Sequence, residues 1–480
     1  MTPKPDVTLW WIRQCFRLAD NPALQAALET GCPVVPVYIH HPVPPHYPQL
    51  KRGAASNWWL HHSLAALTDS LQTKGLRLSL FQADPNVALQ HLQAVYTIRH
   101  LITDQHFEPH QAPMLEDVAG WCRANGVSFQ ALNTNLLLDP TALANKQGRP
   151  YKVFTPFYRA FRPLITWPKP KPAPSQIIAP MHWPETLPLP ALGLLPKINW
   201  AEGFNRYFEP GEAGALKRLD TFLNQAVAAY GHQRDIPGLD GTSQLSPHLH
   251  FGEISPQTLW AEVMNHCHLH PEEQGEPYLR QLVWREFAHH ILAHFPQMPD
   301  TPMDQKFERM AWQHNPQALK AWQQGLTGYP IVDAGMRQLW HTGWLHNRVR
   351  MVVGSFLVKD LMIPWQAGAD WFWQTLVDAD VANNTMGWQW IAGCGPDAAP
   401  YFRIFNPTLQ SRKFDPDGTY IRTWVPELAA LPNRYLHEPA SAPAAELERA
   451  RLVLGKDYPL PMVNHAQARH QAMAAYTALK

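Results

Sequence analysis

The sequence predicts an α/β doubly wound parallel sheet domain followed by a mostly α-helical domain, and three observations carry that expectation. Five apolar runs of strand length alternate with helix-like segments over the first 135 residues. Ten prolines then fall between Arg162 and Trp200, and beyond Asn205 apolar residues recur at helical spacing. The expected layout is a sheet domain over 1–135, a Pro-rich linker over 136–204, a helical domain over 205–455 and a C-terminal tail over 456–480.

In order along the chain, residues 7–12 form a continuous apolar run, a first buried strand. Asn21 can cap the next helix and Pro22 take its first position, with an end near Gly31. A second strand is expected at 34–39, a helix over 54–74 closed by Gly75, and a third strand at 76–81. Helices over 85–95 and 112–125 precede strands at 100–103 and 127–132. Helices between successive strands mean parallel pairing. Such sheets take ligands at the carboxyl ends of their strands, but neither GxGxxG nor a Walker sequence is present, so no conventional dinucleotide or phosphate site is expected here. Pro168, Pro170, Pro172 and Pro174 stand on alternate residues, which favours an extended, semi-rigid connector. In the helical half, three faces are expected to be buried: Leu216-Leu219-Leu223-Val227, Leu279-Leu282-Val283-Phe287, and residues 351–361. After Pro432 the chain becomes Ala-rich and polar.

Composition narrows the class of protein. With 480 residues, 45% hydrophobic and 16% charged, the chain can bury a large core. Its 20 tryptophans suit a core, a base-binding surface or an electron path. A net charge of +1 means that any anion-binding face is a local patch. The five cysteines, Cys15, Cys32, Cys122, Cys267 and Cys394, are scattered and lack a CxxC pair, which argues against a disulfide framework. No signal peptide or membrane-spanning run is visible, and a cytoplasmic location is expected.

Four constellations could carry chemistry. Residues 378–390 put Asp378, Asp380, Asn383, Asn384, Trp388 and Trp390 after the aromatic run 371–377. Buried carboxylates and amides need partners, so this mixture reads either as helix caps over an indole-filled core or as the lining for a polar, planar heterocycle. Gly241-Thr242-Ser243-Gln244-Leu245-Ser246-Pro247 reads as a helix cap or as an oxyanion site of hydroxyls and backbone amides. Trp284-Arg285-Glu286-Phe287 sets a charged pair beside an indole. In 344–351, Asn347 and Met351 lie four apart on one helix face with Arg350 turned away, as a cleft for a flat group attached to phosphates would require, or as a core Met beside solvated arginines would show. His266, Cys267, His268 and His270, like His289, His290 and His294, lack a known metal-ligand spacing, and no metal is expected.

Taken in order, these motifs resemble the photolyase and cryptochrome flavoproteins. The similarity covers both domains and is most specific over 231–427, where the Trp284–Phe287 motif, Thr-Gly-Tyr-Pro-Ile-Val-Asp-Ala-Gly-Met-Arg (327–337) and Tyr-Phe-Arg-Ile-Phe-Asn-Pro (401–407) stand in register. The resemblance implies an N-terminal antenna domain and a helical domain holding FAD. It implies that Tyr230 and Thr242, Ser243, Gln244, Leu245 and Ser246 hold the phosphates and ribose, with Arg285 nearby. Arg350 would pair with Asp378 near the ring, Asp380 would meet its polar edge, Asn384 would face N5, and Asn347 would border the cofactor and substrate.

It implies further a flipped-out cyclobutane pyrimidine dimer between Trp284 and Trp390, lined by Asn347 and Met351, with Arg234, Arg348 and Arg403 at the DNA phosphates. Trp388, Trp365 and Trp312 would relay electrons to oxidised flavin. The activity implied is repair of such dimers in UV-damaged DNA by one-electron transfer from excited, reduced FAD, in a monomeric protein. Plant cryptochromes carry Asp where Asn384 stands, which favours repair over blue-light sensing. Relatives that act on the (6-4) photoproduct carry histidines at the places of Asn347 and Met351, which favours the cyclobutane lesion. Two departures stand out. Gln281 occupies the place of a Glu that donates to the lesion, implying a lower yield or shifted lesion preference. Residues 107–111 lack the Asn-Glu pair that binds a folate antenna, so a second chromophore would be folate held differently, a deazaflavin, or absent.

Overall fold

The computed structural model describes residues 4–41, 50–108, 111–397 and 403–479. Five strands, β1 (Asp6–Ile12), β2 (Val34–His40), β3 (Ser79–Gln82), β4 (Thr97–Asp104) and β5 (Ser128–Leu132), form one sheet in the order β3-β2-β1-β4-β5. Every pairing is parallel. The intervening helices are α1 (Pro22–Glu29), α2 (Ala54–Gln72), α3 (Pro85–Val95) and α4 (Ala112–Ala124). Both faces of the sheet are covered, so alternate residues of β1 serve different cores: Trp10 and Ile12 pack on one side, Leu9 and Trp11 on the other. Asn21 caps α1 by accepting from the Leu24 amide at 3.0 Å.

Strand lengths differ from the sequence expectation for a reason of ladder position. β4 lies between β1 and β5 and is hydrogen-bonded on both sides, so it outgrows the expected 100–103. β3 is an edge strand laddered only to β2 from Ser79 onward; Leu76 and Leu78 are buried ahead of it without joining the ladder.

The connector is less free than its prolines imply. Helix α5 (Phe154–Phe161) interrupts the expected linker 136–204, burying Phe154, Phe157 and Phe161 in the core of the helical half beside Leu219 and Phe287. The Pro-rich part is irregular apart from short 3-10 turns, yet Ile177, Leu192 and Leu194 are seated in the sheet-domain core. The Leu187 amide donates to Leu80 O at 3.0 Å, and the Val34 amide to Ile178 O at 2.9 Å. The Pro-rich stretch is thus seated on the sheet domain along its length.

The helices used below are α6 (Glu212–Gln225), α7 (Ser246–His250), α8 (Pro256–Leu269), α9 (Glu276–His294), α10 (Pro330–Thr342), α11 (Asn347–Ser355), α12 (Trp365–Thr375), α13 (Val381–Ala392) and α14 (His465–Thr477). The 279–287 face is buried as expected. Leu216 is not: it is 47% exposed on α6, and Val227 is buried just beyond that helix's end. The 351–361 stretch is not one α-helix, because α11 passes into a π-helical turn, Phe356–Asp360. The expected tail is part of the domain: α14 docks against that turn, and Tyr458, Ala472 and Leu479 belong to the main core. Among the described residues no helix is long and apolar enough to cross a membrane.

The two halves are locked together by buried polar contacts. Arg17 donates to Thr134 O at 2.6 Å and to Gly252 O at 2.9 Å, and Glu212 accepts from the amides of Leu18 and Ala19 at 2.8 Å each. Glu253 accepts from Trp59 Nε1 at 3.1 Å and Ser63 Oγ at 2.5 Å on α2, and pairs with His248 Nδ1 at 2.5 Å.

Candidate cofactor and DNA site

Helix α13 is the centre of the site because α9, α11 and α12 all pack against it. Asp378 lies just ahead of it, buried, and takes both of its contacts from Arg350 Nη2 on α11, at 3.0 and 2.7 Å. A carboxylate placed there needs that guanidinium. Asp380 is the N-cap of α13: its Oδ1 accepts from the Asn383 amide at 2.8 Å and Asn383 Nδ2 at 2.6 Å. The capping role left open by the sequence is therefore real, and it uses only one oxygen. Oδ2 faces His250 Nδ1 at 3.8 Å and His289 Nε2 at 3.7 Å. Burial alone would push Asp380 up, but His289, His250 and Arg285 hold it below the usual carboxylate range. His289 itself is pushed down to about 4 by burial, and its Nε2 is buried with no hydrogen-bond partner. Asn384, one turn into α13, donates from Nδ2 to Ala369 O at 3.1 Å. An uncharged amide therefore sits beside one held carboxylate and one paired carboxylate.

The 242–246 segment precedes and opens α7. Leu245 is fully buried in the core, so only its backbone can serve a ligand. Gln244 adopts φ 51° and ties back to Asp240 Oδ1 at 3.0 Å. Ser243 Oγ accepts from Tyr278 OH at 3.0 Å, and Arg218 donates to the Thr242 and Ser243 carbonyls at 3.0 and 2.8 Å. Ser246 is exposed, with Trp344 Nε1 at 3.2 Å from its Oγ. Arg218, Tyr278 and Trp344 brace this loop and were missed in the sequence, where nothing distinguishes them from other polar or aromatic residues. Tyr230 is buried against Phe222 and Tyr278, which pushes its hydroxyl up to about 12. Arg285 donates to Asn135 O at 2.7 Å and lies 3.5 Å from Glu286, bracing the domain junction while its charge bears on Asp380.

Trp284 and Trp390 differ in how they are held. Trp284 is stacked on Phe154 of α5, with centroids 3.6 Å apart and planes at 6°, so one of its faces is already occupied. Trp390 donates from Nε1 to Asp397 O at 3.2 Å. Gln281, one turn before Trp284 on α9, donates from Nε2 to its own helix at Pro277 O, 3.2 Å away. Asn347 is exposed at the first position of α11, and Met351 is half-buried one turn on.

The cations are unequal. Arg403 is exposed. Arg234 stands over the Tyr230 ring, 5.9 Å from its centroid. Arg348 is largely committed: Nη2 pairs with Asp235 at 2.9 Å, Nη1 reaches Met351 Sδ at 3.8 Å, and the guanidinium covers the Phe414 ring at 4.3 Å. With Arg350 turned away, it is Arg348, three residues before Met351 on α11, whose guanidinium reaches that side chain. Tyr401 and Phe402 of the 401–407 motif lie outside the described residues.

Trp388 and Trp365 are buried, and Trp312 packs on the same core. Trp388 also meets Phe372 at 4.9 Å and Trp322 at 6.3 Å, both edge-on. Its Nε1 is buried without a partner. Trp322, unremarked in the sequence, is fully buried and donates to Val353 O at 3.0 Å. Trp340, 43% exposed, stacks on Trp371 at 5.9 Å and Trp200 at 5.0 Å.

Of the histidines, His290 is a structural pair of contacts, to Pro140 O at 2.8 Å and the Tyr151 amide at 3.1 Å. His266 pairs with Glu273 at 2.8 Å. Among the described residues one trio has metal-like proximity, His270 with Glu272 and Glu273, mostly exposed. In the 107–111 stretch, Pro109 and His110 lie outside the described residues. Glu108 is half-buried, and desolvation pushes its carboxyl up, with His106, Asp380 and His250 nearby. Gln111 accepts from Arg13 Nη2.

A wound sheet clamped to a helical domain, with a polar centre of one ion pair, one half-used carboxylate and one amide, defines a two-domain protein built around a planar cofactor. Residues 278–478 match the FAD binding domain of DNA photolyase, and residues 8–175 match DNA photolyase. The chain is 43% identical over its whole length to a deoxyribodipyrimidine photo-lyase of Agrobacterium fabrum, covering 99% of that protein. It superposes on the crystal structure of a bacterial class III photolyase from Agrobacterium tumefaciens with a TM-score of 0.94, at 43% identity and covering 100% and 98% of the two chains. It is 35% identical to Cryptochrome-1 of Arabidopsis thaliana, over 97% of this chain and 70% of that protein. The chain belongs to the DNA photolyase family, and its helical half is an FAD-binding domain.

Proposed function

We propose that this protein repairs cyclobutane pyrimidine dimers in DNA with blue light. The observation that carries the reading is the centre around α13: Arg350 closes on Asp378, Asp380 caps the helix with one oxygen and turns the other toward His250 and His289, and Asn384 offers a neutral amide. These residues fit a flavin, and the orphaned Nε2 of buried His289 beside Asp380 adds a polar atom in want of a partner. Thr242, Ser243, Gln244 and Ser246, with the Leu245 backbone, would hold the phosphates and ribose, with Tyr230 below. FAD, when bound, supplies the light-driven electron.

The protein's own work is positional. Arg350 and Asp378 place balanced charge beside the ring, and Asn384 meets it without adding charge. Trp390 and the free side of Trp284 bracket an extruded lesion, Asn347 and Met351 line its floor, and Gln281 donates to its carbonyls once it leaves Pro277 O. Arg403 and Arg234 neutralise phosphates, while Arg348, tied to Asp235, contributes chiefly by shaping the cleft. Trp388, Trp365 and Trp312 would carry electrons inward from the surface.

The test is reduced holoprotein with a thymine-dimer oligonucleotide under blue light. Restored thymine absorbance supports repair. An unchanged lesion with normal flavin photoreduction would instead support the light-sensing reading that the 35% identity to Cryptochrome-1 keeps in view.

A further inference from the structure

Trp284 and Trp390 stand on different helices, α9 and α13, yet one residue reaches toward both. Beyond α13 the chain reverses at once: the amides of Gly393, Cys394 and Gly395 all donate to Gln389 O at 3.0 Å, and Gly393 takes φ 91°. The reversal carries Asp397 back beside Trp390, where its carbonyl accepts from the indole Nε1 at 3.2 Å. Its amide donates to Lys152 O at 3.0 Å, and its Oδ1 accepts from the Phe154 amide at 3.2 Å. That amide is the first of α5, a helix whose own Val153 supplies no side-chain cap, so a carboxylate remote in sequence caps it instead. Phe154 in turn carries Trp284 on its ring face, with centroids 3.6 Å apart and planes at 6°. One residue is thus tied to one indole directly and to the other through a stacked phenyl ring. Asp397 holds φ 51° to do so, a left-handed conformation that Asp and Asn tolerate better than other side chains.

We propose that Asp397 is the positioning residue that fixes these two indoles as a preset slot, and so sets the preference for an extruded dimer over undamaged DNA. The inference rests on Trp284 and Trp390 bracketing the lesion. An indole is a flat plate that swings about two side-chain bonds, and each plate left free must be ordered when substrate enters, which weakens binding. Here the hydrogen bond at Nε1 stops Trp390 from swinging, and the parallel stack stops Trp284 from tilting. Both restraints end on the same turn of chain. The hydrogen bond to the Phe154 amide, not the negative charge, is the working part, because any side-chain oxygen in that place caps α5. Undamaged duplex, whose bases stay stacked, meets the surface cations but not the slot. Loss of the Asp397 side chain should therefore weaken binding of the lesion and spare binding of undamaged DNA.

The experiment measures, in the dark and by fluorescence anisotropy, the affinity of the FAD-loaded protein for one duplex with and without a thymine dimer. Wild type is expected to prefer the damaged duplex. Asp397→Gly removes the carboxylate but leaves the backbone at ease at φ 51°, and should reduce that preference about tenfold, the effect of one buried hydrogen bond, with affinity for undamaged duplex unchanged. Asp397→Asn keeps an oxygen acceptor and should bind both duplexes as wild type does. Phe154→Leu, which breaks the stack without touching Asp397, should lose preference to a similar degree, and it decides the matter if Asp397→Gly does not fold. A preference left intact in Asp397→Gly overturns the proposal, and so does an Asn variant as weak as the Gly one. A fall in undamaged-duplex affinity that matches the fall for the lesion also overturns it, since general loosening would produce that. If Trp284→Ala and Trp390→Ala both keep the wild-type preference, the bracketing of the lesion by those indoles has failed instead.

Discussion

Gln281 shows how one side chain can set a yield. On α9 its amide donates to the carbonyl four residues back, a contact that a glutamate could not make while ionised. A glutamate would be released from the helix and could both accept and, when protonated, donate toward a substrate beside Trp284. Gln281→Glu is therefore expected to raise the number of dimers repaired per photon absorbed, read under a calibrated blue-light dose with saturating lesion. Equal yields in the two proteins would show that this position does not touch the lesion. The departure at Gln281 was legible because the four-residue motif Trp284–Phe287, three residues on, fixes the register. The stacking of Phe154 on Trp284 was not, because α5 is remote in sequence and lay inside a stretch that composition marked as linker.

At the scale of elements, α12 and α13 fit together through an absence. A Cβ on Gly368 would fall 2.1 Å from the Trp388 ring, so α12 can approach α13 only where it carries no side chain. Gly368→Ala must push the indole or part the helices, at a cost on the order of 3 kcal/mol. The expected result is a lower denaturation midpoint together with a changed Trp388 environment in near-UV circular dichroism; an unchanged midpoint would mean the helices slide without resistance. Trp388 stood out in the sequence by its type, whereas Gly368 is one of 26 glycines and gains meaning only from a neighbour twenty residues on. The same holds for the turn at Phe356–Asp360 and for the docked end of the chain. Tyr458 OH donates to buried Asp333 at 2.6 Å, a carboxylate that also receives Thr327 and Gly328 amides at 2.7 and 3.0 Å. Periodicity finds a buried face; it does not register a hydrogen bond spanning more than a hundred positions.

For the whole molecule, the decisive joints are carboxylates set at the seam between the halves. The alternation of strands and helices made both domains readable, since each local period follows from its own burial. How the domains clasp could not be read, because Glu212, Glu253 and Glu286 meet partners chosen by the fold. Glu286 on α9 accepts from the amides of Leu137 and Leu138 at 3.0 and 3.4 Å, catching the chain just after β5. Burial raises its carboxyl to about 7, against the opposing pull of Arg285 and those two amides. In the unfolded chain the same group titrates near 4.5. Between these values the folded protein holds a proton that the unfolded chain has released, so this group's contribution is fully present below the lower value. It is lost as pH rises through the window, about 3 kcal/mol in all. Unfolding free energy measured in urea should therefore carry a downward component between roughly pH 4.5 and 7 that Glu286→Gln removes. An amide there keeps the two backbone contacts through its carbonyl oxygen. A Glu286→Gln variant whose stability still falls with wild-type slope across that window would show that Glu286 is already ionised at the seam, and that Arg285 outweighs burial.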